Sequence, residues 1–345
     1  MAALGLVVLA LAGCVRGPAP AVAPGAAPAA VTLGGIAFHA LQWQVRLGAL
    51  PPGRNAAALH RELQAALDAV DVRLSTYRDD SELMRFNATP VGEWRALSPA
   101  LLRALGLAAE VSRLSGGAYD TTVGPLVELW GFGATPAPVL QPTPEAIAAA
   151  RSRVGWDRIE LELAAGRARR LADVRLDLSS LGEGEGVAAL AEVLERAGVR
   201  DYLARVAGTS RQRGQRPGGG AWVLAIEHPD GSGLPGRALA VADSVVSTSG
   251  SYRNVRVLGG TPFSHTLDPA TGYPVRHAGV SVTVVLPAAA GAARADALAT
   301  ALNVLGPERG LALAAREGLA VLYLERHGDG LRERWSAAFE SLPVP

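Results

Sequence analysis

RADALATALNVLG, residues 294–306, is the stretch around which we expect the fold to be built. It is largely apolar and carries one carboxylate, Asp296, and one hydroxyl, Thr300. A helix has 3.6 residues per turn, so residues four apart lie on one face and both side chains would point the same way. Two interpretations remain open. Asp296 could interact favourably with the helix dipole while the Thr300 hydroxyl donates to a main-chain carbonyl of the same helix. Alternatively, the two side chains could bind a ligand together.

The composition is that of a folded protein. The chain has 345 residues, of which 49% are hydrophobic and 19% charged, with a formal net charge of +1. This length allows one large α+β or α/β domain. The near-neutral charge gives no electrostatic argument for nucleic-acid binding, and we expect none. All 33 basic residues are Arg, which excludes a P-loop lysine, a Schiff-base lysine and a lysine general base.

The N-terminus resembles a bacterial lipoprotein signal. MAALGLVVLALAGC is an apolar run too short to span a bilayer, and it ends in small residues before Cys14, the only cysteine. We expect a signal peptide over 1–13, a lipidated Cys14, an Ala/Pro-rich tether over 14–32 and one domain over 33–345. The protein would then be a membrane-anchored lipoprotein facing the periplasm, on the inner or the outer membrane. An ordinary secretory signal or a buried helix with a chance cysteine is the alternative.

After the tether, helical and extended patterns alternate without an internal repeat. Helices are predicted at 57–74, 99–117, 143–155, 187–198, 295–306 and 307–318, and strands at 158–163, 172–178, 221–229, 237–250, 280–287 and 319–326, followed by a turn and a last strand. With no second break in composition, the sequence predicts a single α+β domain with a mixed β-sheet and packed helices.

Four polar, Gly-rich segments lie at the ends of these elements, where functional sites concentrate. They are LSTYRDDSELMRFN (74–87), GGAYDTTVGPLVELWGFG (116–133), LDLSSLGEGEG (176–186) and SHTLDPATGYP (264–274). The first places Tyr77 and Asn87 in an irregular connection. The second combines glycines with aromatic residues, and such backbone can approach a flat ligand closely. For the first segment, the alternative is a turn with a half-buried Tyr. For the third segment, the alternative is a simple surface turn.

The fourth segment contains His265 and Asp268. Histidine is the side chain that titrates near neutral pH, so His265 is the candidate for proton transfer. Asp268 begins an Asp-Pro-x-Thr-Gly sequence, and we expect it to cap its own turn. A structural role for His265, orienting Asp268, remains the alternative. No pair of histidines or cysteines has zinc spacing, and no Gly-x-Ser-x-Gly sequence is present.

Seven motifs in collinear order resemble the FAD:protein FMN transferase family, also called ApbE-like proteins. They are LSTYRDDSELMRFN, GAYDTTVGPLVELWGFG, LDLSSLGEGEG, VVSTSGSYRNV, FSHTLDPATGYPV, SVTVVLP and ADALATALNVLG. The resemblance extends from about residue 33 to 345 and implies an ApbE-like architecture, related to the T-fold. The Gly-Glu-Gly at 182–184 is similar to the branch that carries glutamate where many relatives have lysine.

The resemblance implies a role for each candidate site residue. It assigns Mg²⁺ to Asp296, Thr300 and a main-chain oxygen of Ser180, and Mg²⁺ prefers such hard oxygen ligands. It also assigns FAD binding to seven residues: Tyr77, Ala118, Tyr119, Asp120, Asp177, Glu183 and Leu267. His265 is predicted to accept or relay the proton of the acceptor hydroxyl.

The implied reaction is Mg²⁺-dependent transfer of FMN from FAD to a threonine hydroxyl of an acceptor flavoprotein, with release of AMP. The acceptors of the family are usually subunits of membrane redox complexes. An FAD pyrophosphatase that gives FMN and AMP, and a non-catalytic flavin-binding lipoprotein, are the alternatives.

Several positions depart from the family pattern. His39-Ala40-Leu41 stands where Met-Gly-Thr is expected, Glu185 where an aromatic residue is common, Ala188 where Asp is common, and Ala207 where the first Gly of a Gly-Gly pair is usual. These departures predict weaker FAD binding than in relatives that keep the pattern.

The lipid anchor can be tested at its thiol. Because two acyl chains on Cys14 would give stable anchoring, Cys14→Ser should move the protein from the membrane fraction to the soluble periplasmic fraction. Unchanged membrane fractionation of the variant would contradict the lipoprotein hypothesis.

Overall fold

The computed structural model describes residues 30–135, 137–229 and 235–343. The predicted signal peptide, Cys14 and all but the last three residues of the predicted tether lie outside these ranges. The first strand begins at Val31, two residues before the predicted start of the domain. No helix in the described ranges has the length and apolar character needed to cross a membrane.

Fifteen strands and eight α-helices are found in the described residues. The strands are β1 (Val31–Ala37), β2 (Leu41–Leu47), β3 (Arg95–Ala96), β4 (Ile159–Glu162), β5 (Arg167–Arg170), β6 (Tyr202–Val206), β7 (Thr209–Arg213), β8 (Trp222–Glu227), β9 (Pro235–Val241), β10 (Ser244–Gly250), β11 (Val255–Leu258), β12 (Thr261–Ser264), β13 (Gly279–Pro287), β14 (Ala320–His327) and β15 (Gly330–Trp335). The helices are α1 (Ala56–Leu74), α2 (Glu82–Asn87), α3 (Pro99–Leu114), α4 (Gly124–Leu129), α5 (Pro144–Arg151), α6 (Ser179–Arg196), α7 (Ala292–Glu317) and α8 (Ala337–Glu340).

An eight-stranded sheet in the order β1-β2-β6-β7-β10-β13-β14-β15 forms the centre of the domain. Its β13 is the apolar run GVSVTVVLP, and eight of its nine residues are buried. A strand without alternation is expected to be covered on both faces. The α+β class is therefore confirmed. The predicted mixed sheet is not found, because all neighbouring strands of this sheet pair antiparallel. Among the described residues, the one parallel pairing is an isolated bridge between Val123 and Arg175.

The two faces of the sheet are covered by different layers. Helices α1, α6 and α7 share the main hydrophobic core with β2, β6 and β13. On the opposite face, the β8–β9 hairpin and α8 enclose a second cluster that includes Val246, Val285 and Leu322. Neighbouring residues such as Val284 and Val285 thus face different cores, as the two-residue period of a strand requires.

A third, smaller apolar cluster lies beside the main core. Leu126 and Trp130 of the α4 region pack with Ile147 of α5 and with Leu258 and Phe263 of the β11–β12 hairpin. The indole N–H of Trp130 also donates to the main-chain oxygen of Gly272 (2.9 Å). The second and fourth Gly-rich segments of the sequence are thereby held against each other.

Helix α6 makes a close contact with α7 at Gly184. A Cβ placed on Gly184 would lie 2.4 Å from the Ala293 Cα and 2.6 Å from the Ala292 main-chain oxygen. These are backbone atoms, which cannot move aside as a flexible side chain can. Gly184 therefore sets the distance between the two helices.

Helix α7 is broken at Gly306, whose φ is +73°, and Pro307 follows. Proline has no N–H, so the carbonyl of Asn303, four residues earlier, has no helical donor. The His277 Nε2–H donates to that oxygen (2.7 Å), and the Tyr323 hydroxyl donates to the oxygen of Leu302 (2.6 Å). Side chains from outside the helix thus satisfy the carbonyls at the break.

Three local predictions are wrong. The predicted strand at 172–178 is largely irregular, because β5 lies earlier, at 167–170, where the Arg side chains pair across to β4. Asn87 lies in α2 rather than in an irregular connection, since Ser81 caps that helix through the Met84 N–H. The glycines and glutamates of 182–186 lie within α6, which begins eight residues before the predicted helix at 187.

The α6–α7 contact gives a direct test with a control in the same helix. Gly184→Ala should destabilise the protein by about 1–3 kcal/mol, since a methyl group has to be accommodated between two backbones. Gly182→Ala should be neutral or stabilising, because nothing lies within 4 Å of its Cβ position and Ala favours a helix over Gly. Chemical denaturation of both variants measures the difference. Equal effects of the two substitutions would contradict this role of Gly184.

Candidate functional site

Asp296 is held by the neighbouring helix rather than by the end of its own. It lies in the second turn of α7 and is buried (6% exposed). Its Oδ2 accepts a hydrogen bond from the Gly184 N–H at 2.8 Å. The helix-dipole interpretation is therefore not what holds Asp296. Thr300, one turn later on the same face, is half-buried.

The turn of α6 that contains Ser180 adjoins this carboxylate. In a regular helix, the Gly184 N–H points at the main-chain oxygen of the residue four before it, which is Ser180. Because that N–H also donates to Asp296, the carboxylate lies beside the Ser180 turn. The Ser180 hydroxyl itself donates to the Tyr119 hydroxyl (3.0 Å).

The electrostatics of this region favour a cation. Burial raises the pKa of Asp296 well above its ordinary value, and the nearby carboxylates of Glu183 and Glu185 raise it further. Burial also raises the pKa of Glu183, to about 7. The carboxylates of Asp296, Glu183 and Glu185 thus lie near one another at a buried position, and a cation bound there would reduce their mutual repulsion.

The oxygen donors present here suit a Mg²⁺ ion that keeps water and substrate ligands better than a metal enclosed by protein side chains alone. Within the described ranges, no three His, Cys, Asp or Glu side chains converge as a metal-binding group. A cation would then depend on one carboxylate together with hydroxyl, main-chain, water and substrate oxygens. Mg²⁺ is commonly bound in this way, through one or two carboxylates and phosphate oxygens. Asp296, Thr300 and the main-chain oxygen of Ser180 are the residues that would hold it.

Glu183 is fixed by the turn between β6 and β7. Its Oε2 accepts from the Gly208 N–H (2.8 Å) and from the Thr209 hydroxyl (3.3 Å). Ala207, in the same turn, has a φ of +43°. This is the left-handed region that favours glycine, so the departure from the family's Gly-Gly pair introduces local strain.

Tyr77 presents an exposed ring on the other side of the site. Its hydroxyl donates to the main-chain oxygen of Phe132 (3.2 Å), while 54% of the residue is exposed. The ring of His39 lies parallel to it, with centroids 5.9 Å apart and planes 3° from parallel. His39 occupies the position where the family's Met is expected. The turn therefore remains beside Tyr77 although its residues differ.

Asp177 is buried near Tyr77. Its Oδ1 accepts from the main-chain N–H (2.8 Å) and the hydroxyl (2.5 Å) of Ser179, and its own N–H donates to Thr121 (2.7 Å). Burial raises the pKa of Asp177, and its hydrogen bonds from Ser179 lower the pKa by a smaller amount. The pKa of Tyr77 is raised mainly by burial and then by the charge of Asp177.

His265 is held through one of its ring nitrogens. Its Nδ1 lies 3.2 Å from the main-chain oxygen of Asn254. A carbonyl can only accept, so Nδ1 carries the hydrogen and Nε2 of the neutral ring keeps its lone pair. Burial lowers the pKa of His265, which favours this neutral form. Asp268 instead caps its own turn through the Ala270 N–H (2.9 Å) and the Thr271 hydroxyl (3.2 Å), as predicted.

The remaining candidates are less accessible. Ala118, Tyr119 and Leu267 are all buried. The Asp120 carboxylate is engaged within the fold, because it accepts from the Thr122 N–H (2.8 Å) and hydroxyl (2.6 Å) and from the Trp156 N–H (3.0 Å). Their contribution would be to shape the wall of the site rather than to present free polar groups.

Asn303 joins the two halves of the site. It lies seven residues after Asp296, on the same face of α7, and is 2% exposed. Its side-chain N–H donates to the Thr266 hydroxyl (2.9 Å), next to His265 in sequence. One helix face thus carries the candidate metal residues and anchors the segment that contains the histidine.

Two residues beside the site, Phe132 and Arg256, were not predicted from the sequence. The ring of Phe132 lies 6.3 Å from that of His265, and the Arg256 guanidinium lies 5.6 Å from the centre of the Phe132 ring. The WGFG sequence at 130–133 was a signal for Phe132, whereas nothing local distinguishes Arg256 from the other arginines.

The remaining departures from the family pattern are Glu185 and Ala188, both on α6. The charges that act on Glu185, beyond its burial, are those of Arg73 and Arg103, and Ala188 is exposed on α6. Because the charge of Glu185 also raises the pKa of Asp296, Glu185 borders the carboxylate side of the site.

Comparisons with known proteins identify the family of this chain. The sequence pattern of the ApbE family matches residues 40–323. A protein of Klebsiella pneumoniae named FAD:protein FMN transferase is 38% identical over 99% of this chain and 97% of its own length. One of Escherichia coli with the same name is 38% identical over 88% of this chain and 86% of its own length.

Solved structures give the same result. The flavin transferase ApbE from Vibrio cholerae has a TM-score of 0.83 and 33% identity, covering 91% of this chain and 99% of that one. The apo flavinyl transferase ApbE of Pseudomonas stutzeri has a TM-score of 0.81 and 35% identity, covering 91% and 96%. The fold and site define a family of flavin transferases. This chain belongs to the ApbE family, and the resemblance in its motifs is confirmed.

The buried carboxylate predicts a pH dependence of stability. Folding raises the pKa of Asp296. The contribution of Asp296 to the stability of the folded protein is therefore most favourable below its unfolded pKa of about 3.9. That contribution is lost as the pH rises through the pKa of Asp296 in the folded protein. Without divalent cations, the wild type should lose more stability than Asp296→Asn between about pH 5 and pH 8. Thermal unfolding at both pH values measures the difference, and parallel losses in the two proteins would argue against the raised pKa.

Proposed function

We propose that this protein transfers FMN from FAD to a threonine hydroxyl of an acceptor flavoprotein, with Mg²⁺ bound and AMP released. The observation that carries the proposal is the α7 face. It presents Asp296 and Thr300 beside the Ser180 turn and holds the His265 segment through Asn303. The names of the relatives support the transfer of FMN from FAD to a protein.

The chain's residues would divide the work in the following way. The Nε2 atom of His265 accepts the proton as the threonine oxygen attacks the FMN phosphorus, and the phosphorus–oxygen bond to AMP breaks. Tyr77, anchored through Phe132, presents its ring to a flat part of FAD. Bound Mg²⁺ would neutralise charge on the pyrophosphate.

We also propose that the protein acts at the periplasmic side of a membrane, anchored through Cys14, where a subunit of a redox complex is the acceptor. The support is the signal-like sequence before Cys14. An acceptor on the same membrane would be reached by lateral diffusion.

One experiment separates the three candidate functions. The purified protein is incubated with FAD, Mg²⁺ and an acceptor flavoprotein from the same organism. Covalent FMN on the acceptor supports the transferase, free FMN with AMP indicates a pyrophosphatase, and unchanged bound FAD indicates a binding protein. Mass spectrometry of the acceptor and chromatography of the nucleotides distinguish these outcomes.

The metal assignment is tested with Asp296→Asn. The substitution keeps an oxygen for the Gly184 N–H but removes the charge, so the fold should survive while transfer falls by at least about 100-fold, since charge stabilisation is worth several kcal/mol. FAD should stabilise the wild type more with Mg²⁺ than without it. A Mg²⁺-dependent FAD shift that persists in Asp296→Asn would exclude this carboxylate as the ligand.

A further inference from the structure

Arg256 is a cation beside the site for which the described residues supply no ion pair and no side-chain hydrogen bond. It lies on β11, opposite Phe263 of β12, and its guanidinium stacks over Phe132, 5.6 Å from the ring centre. The same Phe132 ring neighbours His265, and the Phe132 main-chain oxygen accepts from Tyr77. Arg256 and His265 therefore contact the same ring, that of Phe132, whose main chain anchors Tyr77.

The guanidinium is incompletely satisfied. Its Nε is buried and has no hydrogen-bond partner. Arg170 and Arg211 also have an unpartnered Nε, but they donate through other nitrogens, to the Val174 and Thr89 main-chain oxygens and to Glu195 respectively. For Arg256, neither a hydrogen bond nor an ion pair of the guanidinium is found in the described part of the chain. A buried donor without an acceptor is costly, which indicates that a ligand supplies one.

The chemistry of that ligand follows from the donor. A guanidinium presents several N–H groups in a plane and matches the oxygens of a phosphate or carboxylate. Three charged groups act on the pKa of Tyr77, namely Arg256 and the carboxylates of Asp177 and Glu128. An anionic ligand would be repelled by these two carboxylates. Arg175 acts on both of them, and Arg256, which acts on Tyr77, adds a second positive charge on the side of the exposed ring. A flat, uncharged ring alone would leave its N–H groups unpaired.

We propose that Arg256 binds the phosphate of the FMN half of the substrate, next to His265. This inference rests on the proposed function, since it assumes a flavin dinucleotide in the site. In the transfer step, the guanidinium would donate to non-bridging oxygens of the phosphorus under attack. It would thereby stabilise the negative charge that builds up there. Arg256 is then a second cation, in addition to Mg²⁺, for the same phosphate.

Two flavins that differ only in the phosphate test the proposal without catalysis. The affinities of FMN and riboflavin are measured by flavin fluorescence for the wild type, Arg256→Gln and Arg256→Lys. Arg256→Gln should weaken FMN binding by about 10-fold to 100-fold, as for a lost charge-assisted hydrogen bond, and leave riboflavin binding unchanged. Arg256→Lys should recover part of the loss, because it restores the charge but not the planar group.

Arg276→Gln is the matched control. Arg276 also lies over an aromatic ring, with its guanidinium 5.8 Å from the centre of the Phe263 ring, but it is exposed. Its substitution should change neither affinity. Far-ultraviolet circular dichroism and thermal unfolding show whether each variant is folded.

Two results would overturn the proposal. If Arg256→Gln leaves the ratio of FMN to riboflavin affinity unchanged because neither affinity falls, Arg256 does not bind the ligand. If both affinities fall equally, Arg256 contacts the ring and not the phosphate. A wild type that binds FMN more tightly than riboflavin but transfers nothing would contradict the proposed function and leave the role of Arg256 standing.

Discussion

The approach of α6 to α7 at Gly184 is the constraint on which the site depends. With no side chain at this position, the backbone of Ala292 and Ala293 comes close enough for the next turn of α7 to place Asp296 against the Gly184 N–H. The same contact joins the metal side of the site to the core between the helices and the sheet. A small change in helix separation would therefore alter both packing and ligand geometry.

Much of the fold could be predicted from local patterns. The continuous apolar run of β13 indicated a strand buried on both faces, and the spacing of α1, α3 and α5 gave their extents within a few residues. The α7 region was predicted as two adjacent helical stretches, and the structure has a break between them at Gly306. Such features are local, because they depend on periodicity, capping residues and proline.

What could not be predicted depends on partners distant in sequence. Three glycines between 182 and 186 suggested a turn, since glycine disfavours helices, but close packing makes two of them, Gly184 and Gly186, suitable for α6. Gly184 faces α7, and a Cβ on Gly186 would lie 2.9 Å from the Phe38 ring. Motif resemblance brought together Asp296, Thr300 and His265. It gave no reason to single out Arg256, whose significance comes from the absence of a partner in the described residues around it.

The break in α7 divides that helix into two parts with different anchors. The first part carries Asp296, Thr300 and Asn303, whereas the second, after Pro307, packs through Gly310 against Tyr323 of β14. Since the hydrogen-bond ladder is interrupted between them, the two parts can open as separate units. Amide hydrogen exchange should therefore slow on flavin binding in the first part and remain largely unchanged beyond the break.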